Sequence, residues 1–126
     1  MNTNSSARGN SPNPAIFDVD LEDFEQRVIE ISWEQPVLVD LWAAWCSPCL
    51  VIAPVLEAFI DDNDGDILLA RVEVDEGDNM KLAGRYQVRG FPTVILFEEG
   101  QEVARFSGAK TLGYIQSFAN ENIRML

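Results

Sequence analysis

The sequence predicts an α/β fold, a mixed central five-stranded sheet flanked by four helices. Three observations carry this expectation. Short β-branched runs alternate with segments whose apolar residues recur at helical spacing, in the order βαβαβαββα. The run Val37 to Trp42 is apolar on both faces apart from Asp40, as expected of a strand buried in the middle of a sheet. Thr93 to Phe97 and Glu102 to Phe106 flank Glu99-Gly100 and read as an antiparallel hairpin. The alternating first half implies parallel pairing with right-handed crossovers, which place helices on both faces.

Residues 1–14 are dominated by Asn, Ser and Pro, with Arg8 the only charge, and read as a flexible tail that offers little to bury. The segment has no apolar core of the kind a secretory signal needs. Residues 15–126 then form one domain. Ala15 to Val19 is the first strand. Asp20 is placed to cap a helix in which Leu21, Phe24, Val28 and Ile31 recur at helical spacing, to about Ser32. Pro36 precedes the central strand. A second helix starts at Cys46 or Ser47, with Leu50, Ile52, Ala53, Val55, Leu56, Phe59 and Ile60 as a broad apolar face. Pro48 falls in its first turn, where a missing N–H is harmless, and Pro54 falls inside it. The run 61–65 ends it. Ile67 to Val74 is a third strand and Asn79 to Tyr86 a short helix. Thr111 to about Ile123 is the last helix, with Leu112, Ile115, Phe118 and Ala119 turned inward.

With 126 residues, 47% hydrophobic and 24% charged, the chain can bury a core without a staple. No apolar stretch reaches the roughly 18 residues of a membrane span, so no membrane partner is expected. Nine basic and 21 acidic residues give a net charge of −12, which argues against nucleic acid as a partner, because phosphate contacts need a basic surface. The same charge can steer the chain toward basic patches on other proteins. Two cysteines and no histidine cannot supply the four ligands of a closed zinc site, so no metal is expected.

Cys46-Ser47-Pro48-Cys49 follows the central strand and opens a helix. A structural disulfide is the weaker reading. So short a loop gives only about 2 kcal/mol of cross-link stabilisation. A thiol at a helix N-terminus is instead favoured as a thiolate, the nucleophile of disulfide exchange. Cys49, one turn further in, can resolve a mixed disulfide formed at Cys46. Asp40 is the only charged residue of its strand. Burial would raise its pKa and suit it to proton transfer near neutrality; the alternative is a satisfied buried polar residue. Trp42 reads as core, and Trp45, beside the thiols, as working surface.

The run Val39-Asp40-Leu41-Trp42-Ala43-Ala44-Trp45-Cys46-Ser47-Pro48-Cys49 resembles the active-site segment of the thioredoxin family. Arg89-Gly90-Phe91-Pro92-Thr93 resembles the family's second active-site loop. The likeness covers about residues 15–126, including the element order. It implies a thioredoxin fold and a thiol–disulfide oxidoreductase that reduces protein disulfides, with Cys46 attacking, Cys49 resolving and Asp40 accepting a proton. It further implies a cis Phe91–Pro92 bond and a shallow peptide groove of Trp45, Gly90, Phe91, Pro92 and Gly108. Ser47, Pro48, Trp42 and Arg71 would support the site. No cofactor beyond the redox-active disulfide is implied. The expected partners are disulfide-containing proteins and a thioredoxin reductase, acting on a cytoplasmic monomer.

Three positions depart from the family pattern. Ser47 stands where glycine is usual. Arg71 stands where a lysine is common, and its fixed charge favours ionised Asp40, against a raised pKa. The acidic run Asp75-Glu76-Gly77-Asp78-Asn79 is longer than usual. A second functional reading is a binding or chaperone-associated module of the same fold with an incidental dithiol. A third is a dedicated oxidant or isomerase.

Overall fold

The structure, a computed structural model, describes residues 12–126. Five strands form one sheet in the order β1-β3-β2-β4-β5: β1 Ile16–Asp18, β2 Val37–Trp42, β3 Leu68–Glu73, β4 Thr93–Glu98 and β5 Gln101–Ser107. β1 and β2 both pair in parallel with β3, while β4 pairs antiparallel with β2 and β5. The three regular helices are α1 Ser47–Asp62, α2 Met80–Arg85 and α3 Leu112–Asn122. The expected mixed five-stranded sheet is therefore present, with β2 at its centre.

Side chains alternate across each strand, and the two sheet faces bury separate cores. Val37, Val39, Leu41, Ala70, Val72, Ile95 and Phe97 pack against Phe24, Val28, Leu82 and Ala83. Leu38, Leu69, Val94 and Leu96 pack against Ile52, Leu56, Phe59 and Ile60 of α1 and Ile115 and Phe118 of α3. On the first face Phe24, Tyr86 and Phe97 form a ring cluster, with Tyr86 and Phe97 edge-on at 5.3 Å. The hairpin turns on Glu99 and Gly100, both at positive φ, which matches the twist of the flanking strands. At Gly100 φ is +84°, and a Cβ there would come within 2.8 Å of the Trp33 indole nitrogen.

The first helix differs from its expected form. Leu21–Asp23 and Ile31–Trp33 are tightened 3-10 turns, and Glu25–Glu30 is a widened π turn. Phe24 and Val28 are still buried, as their spacing requires. The pitch departs from regular because both ends are fastened to remote segments. At the start, Asn79 Oδ1 accepts the Leu21 N–H at 2.7 Å. At the end, the Ser32 hydroxyl donates to the Ile29 carbonyl at 2.6 Å and accepts the Gly100 N–H at 2.9 Å. Local spacing cannot register such bonds.

Of the segment expected as a tail, residues 1–11 lie outside the described residues, and Asn13 is hydrogen-bonded. Its side chain donates to Asp61 Oδ1 at 2.6 Å and accepts the Ala15 N–H at 2.9 Å.

Asn79 is the tie with the most at stake. Besides holding Leu21 it donates to Asp20 Oδ1 at 2.8 Å and to the Glu73 carbonyl at 3.0 Å, and its side chain is buried. Asn79→Ala should lower unfolding free energy by about 2–3 kcal/mol, because it strands buried backbone groups as well as removing bonds. Urea denaturation measures this, and a change within 0.5 kcal/mol, roughly that of an ordinary surface substitution, would show that the tie is replaceable.

Candidate active site

β2 delivers the chain to the site. Its hydrogen-bonded ladder with β3 runs one step past the strand, through Val74 N–H to the Trp42 carbonyl at 2.9 Å. The chain then turns at Ala43–Trp45 and enters α1. Cys46 is the N-cap of α1, in extended conformation, and its Sγ accepts the Cys49 N–H at 3.2 Å. The helix begins at Ser47 with Pro48 in its first turn, as the sequence predicts. Cys46 and Cys49 are joined as a disulfide with Cα atoms 5.3 Å apart. Cys46 is 5% exposed and Cys49 is fully enclosed, so Cys46 is the sulfur a partner can approach. Ser47 and Pro48 are both exposed beside it.

β2 and β3 are parallel neighbours, so α1 crosses back over the sheet between the end of β2 and the start of β3. Asp40 shares the face of Leu38, which α1 covers. The carboxylate is fully buried, and neither oxygen has a hydrogen-bond partner among the described residues. Its charged neighbour is Arg71, paired with it across the sheet, whose Nε lies 3.8 Å from Oδ2, beyond hydrogen-bond reach. The Arg71 guanidinium sits over the Trp42 ring at 4.6 Å. Burial lifts the Asp40 carboxyl from 3.8 to about 7, and the Arg71 charge pulls it back only in part. The expectation that arginine would oppose a raised pKa is thus corrected in balance: a charge held at this distance does not offset full desolvation. Trp42 is buried, as its core reading required.

The second loop closes on the first. The Phe91–Pro92 bond is cis. Thr93 Oγ1 donates to the Gly90 carbonyl at 2.7 Å and lies 3.1 Å from the Ser107 hydroxyl. Gly108, at a φ of +89°, donates its N–H to the Pro92 carbonyl at 2.9 Å. A side chain at Gly108 would be strained by that dihedral. Trp45 is 67% exposed and meets the Phe91 ring edge-on at 6.2 Å. Phe91 packs against the buried cluster that holds Cys46 and Cys49, and the bonds above tie Gly90, Pro92 and Gly108 to the same loop.

Sequence reasoning noted the acidic run 75–79 without seeing its place in the site. Asp75 Oδ2 accepts the Trp45 indole N–H at 2.7 Å. The usable signal was register. Parallel pairing of Trp42 with Glu73 sets the residues just beyond the two strands side by side, so Asp75 arrives level with the Trp45 loop.

A family profile described as Thioredoxin matches residues 15–121. A thioredoxin from Pseudomonas aeruginosa is 39% identical over 108 residues, 86% of this chain and 96% of that protein. One from Chlorobaculum thiosulfatiphilum is 34% identical over 107 residues, 85% of this chain and 95% of that one. A bifunctional thioredoxin reductase/thioredoxin from Mycobacterium leprae is 45% identical over 80 residues, 64% of this chain and 17% of that longer protein. Fold, dithiol and likeness converge: the chain belongs to the thioredoxin family and is a thiol–disulfide oxidoreductase.

Proposed function

We propose that the chain works as a reductant of protein disulfides, with Cys46 attacking, Cys49 resolving and Asp40 moving the proton. The observation that carries this reading is the asymmetry of the two sulfurs: Cys46 caps a helix and is the more accessible, while Cys49 is enclosed. In the reduced protein the Cys46 thiolate attacks one sulfur of a substrate disulfide. The substrate S–S bond breaks, a Cys46–substrate bond forms, and the second substrate sulfur leaves as a thiolate that takes its proton from water. Asp40 accepts the Cys49 proton. The Cys49 thiolate then attacks Cys46 Sγ, expelling the first substrate sulfur and closing Cys46–Cys49. Two electrons pass to the substrate, and the protein is left oxidised. A pKa of about 7 suits a group that must take and return a proton near neutrality.

Trp45, Gly90, Phe91, Pro92 and Gly108 would receive the substrate backbone, with Ser47, Pro48, Trp42 and Arg71 supporting the thiols and the carboxylate. A thioredoxin reductase would return the electrons, a partner suggested by the M. leprae relative whose name joins both activities. In this reading the chain is a cytoplasmic monomer that carries electrons to maintain thiol balance and binds neither nucleic acid nor membrane. The redox-active disulfide is its only redox group. Reduction of insulin by dithiothreitol, with and without the protein, tests the activity. A reduction potential near that of strong oxidants would overturn the assigned direction.

Cys46→Ser should abolish turnover, whereas Cys49→Ser should accumulate mixed disulfides with substrate proteins. Mass spectrometry of trapped adducts checks this, and equal trapping by the two variants would refute the division of labour.

Asp40 gives a signed pH dependence. Its folded-state pKa, about 7, lies above the unfolded value of 3.8. Stability is therefore undiminished below the unfolded value, declines as pH rises, and levels off above about 7, a loss on the order of 4 kcal/mol. Asp40→Asn removes the ionisation and should be the more stable protein above pH 7. The gap should narrow toward pH 5. The same variant should resolve mixed disulfides more slowly near neutrality. Thermal melts across this range, together with stopped-flow resolution rates, provide the readouts. A rate unchanged from pH 6 to 9 would make Asp40 purely structural.

Net charge gives a third outcome. Reaction with a basic protein disulfide should slow as salt rises from about 0.1 to 1 M, where the Debye length falls from about 10 to 3 Å. Reaction with a small neutral disulfide should hardly respond. Parallel rate measurements on the two substrates decide it, and equal salt sensitivity would remove steering from the account.

A further inference from the structure

Helical spacing predicts one broad apolar face for α1, and the structure splits it. Ile52, Leu56, Phe59 and Ile60 are buried, but Leu50 of that face is 49% exposed, and Val51 beside it, outside the predicted face, is 61% exposed. Ser47, Pro54 and Ala58 are exposed as well. These five positions recur three or four residues apart, so they form a single stripe along the outer side of the helix. A water-facing helix side ordinarily carries charge. Here no residue from Leu41 through Leu56 is charged, in a chain that is 24% charged.

The stripe starts at the reacting sulfur. Leu50 donates its N–H to the Cys46 carbonyl at 3.2 Å, one helical turn from the N-cap. A substrate protein linked to Cys46 is held at about 2 Å by a covalent S–S bond. A folded partner held that closely covers far more than the dithiol, since a standard protein interface occupies roughly 800 Å² on each side. Leu50 and Val51, a turn away, fall inside that footprint. Covering them is favourable only if the partner's facing surface is apolar as well.

We propose that Leu50, Val51 and Pro54 form a docking surface for the substrate protein, which selects disulfides flanked on the α1 side by apolar, uncharged residues. The proposal rests on the thiol–disulfide reading above and adds a substrate class to it.

The test uses the double variant L50Q/V51Q. Glutamine keeps helix propensity and adds no charge near Cys46, so neither the helix nor the thiolate's electrostatics is disturbed. The substrates are two disulfide-bridged peptide hairpins of equal charge, one with leucines and one with glutamines beside the cystine, and bis(2-hydroxyethyl) disulfide. The parent protein should reduce the leucine hairpin with a kcat/KM roughly fivefold or more above the glutamine hairpin, the scale of one well-covered apolar contact. The double variant should lose that preference and keep its rate with the small disulfide. V103Q, which alters an exposed side chain at the far end of β5, should retain the preference. If the double variant unfolds, V51Q alone at the more exposed position repeats the comparison. A preference that survives in the double variant would overturn the proposal. So would a concentration-dependent dimer in sedimentation that the double variant abolishes, since the stripe would then be a contact between copies. No turnover of the small disulfide by the parent would bring down the redox reading itself, a result separable from loss of selectivity.

Discussion

Everything at the site follows from the enclosure of β2. The strand is hydrogen-bonded on both edges, parallel to β3 and antiparallel to β4, and every one of its residues is buried. A carboxylate on such a strand cannot reach water by changing rotamer. Asp40 must then either ionise without solvation or hold its proton, and the compromise is a carboxyl poised near neutrality. The same enclosure fixes where the strand ends, and thereby where α1 starts and which sulfur faces outward.

Two kinds of bond then transmit that placement to the neighbouring loops. Backbone pairing sets the level of each loop, as when the β2–β3 ladder brings Asp75 beside Trp45. Side-chain bonds lock the loops in relation to one another, through Thr93 to Gly90 and through Gly108 to Pro92. The exposed indole of Trp45 is held by its N–H to Asp75 and by its ring edge to Phe91. A large side chain on the surface is thereby kept in one position.

The element order, the hairpin and the dithiol at a helix start were legible because each depends on local pattern: apolar runs, turn residues and spacing. The regular course expected for Leu21–Trp33 was not, because Asn79 and Ser32 bind residues far along the chain. The balance at Asp40 was also hidden. The family resemblance points to Arg71 as the charged neighbour, but only the folded structure gives the 3.8 Å gap and the lack of hydrogen bonds among the described residues that let desolvation prevail. Spacing overstated the inward face of α1, since periodicity marks an apolar side without saying whether another element covers it. Among the described residues Leu50 and Val51 are left 49% and 61% exposed.

That uncovered patch has a colloidal consequence. Bare aliphatic surface invites copies of a protein to stick to each other. Each copy here carries a net charge of −12, so two molecules approaching patch to patch repel over about a Debye length before the apolar contact can form. The acidic composition acts as a dispersant. It lets the molecule keep a greasy, uncharged helix face open around its reactive sulfur in a concentrated solution of its own kind.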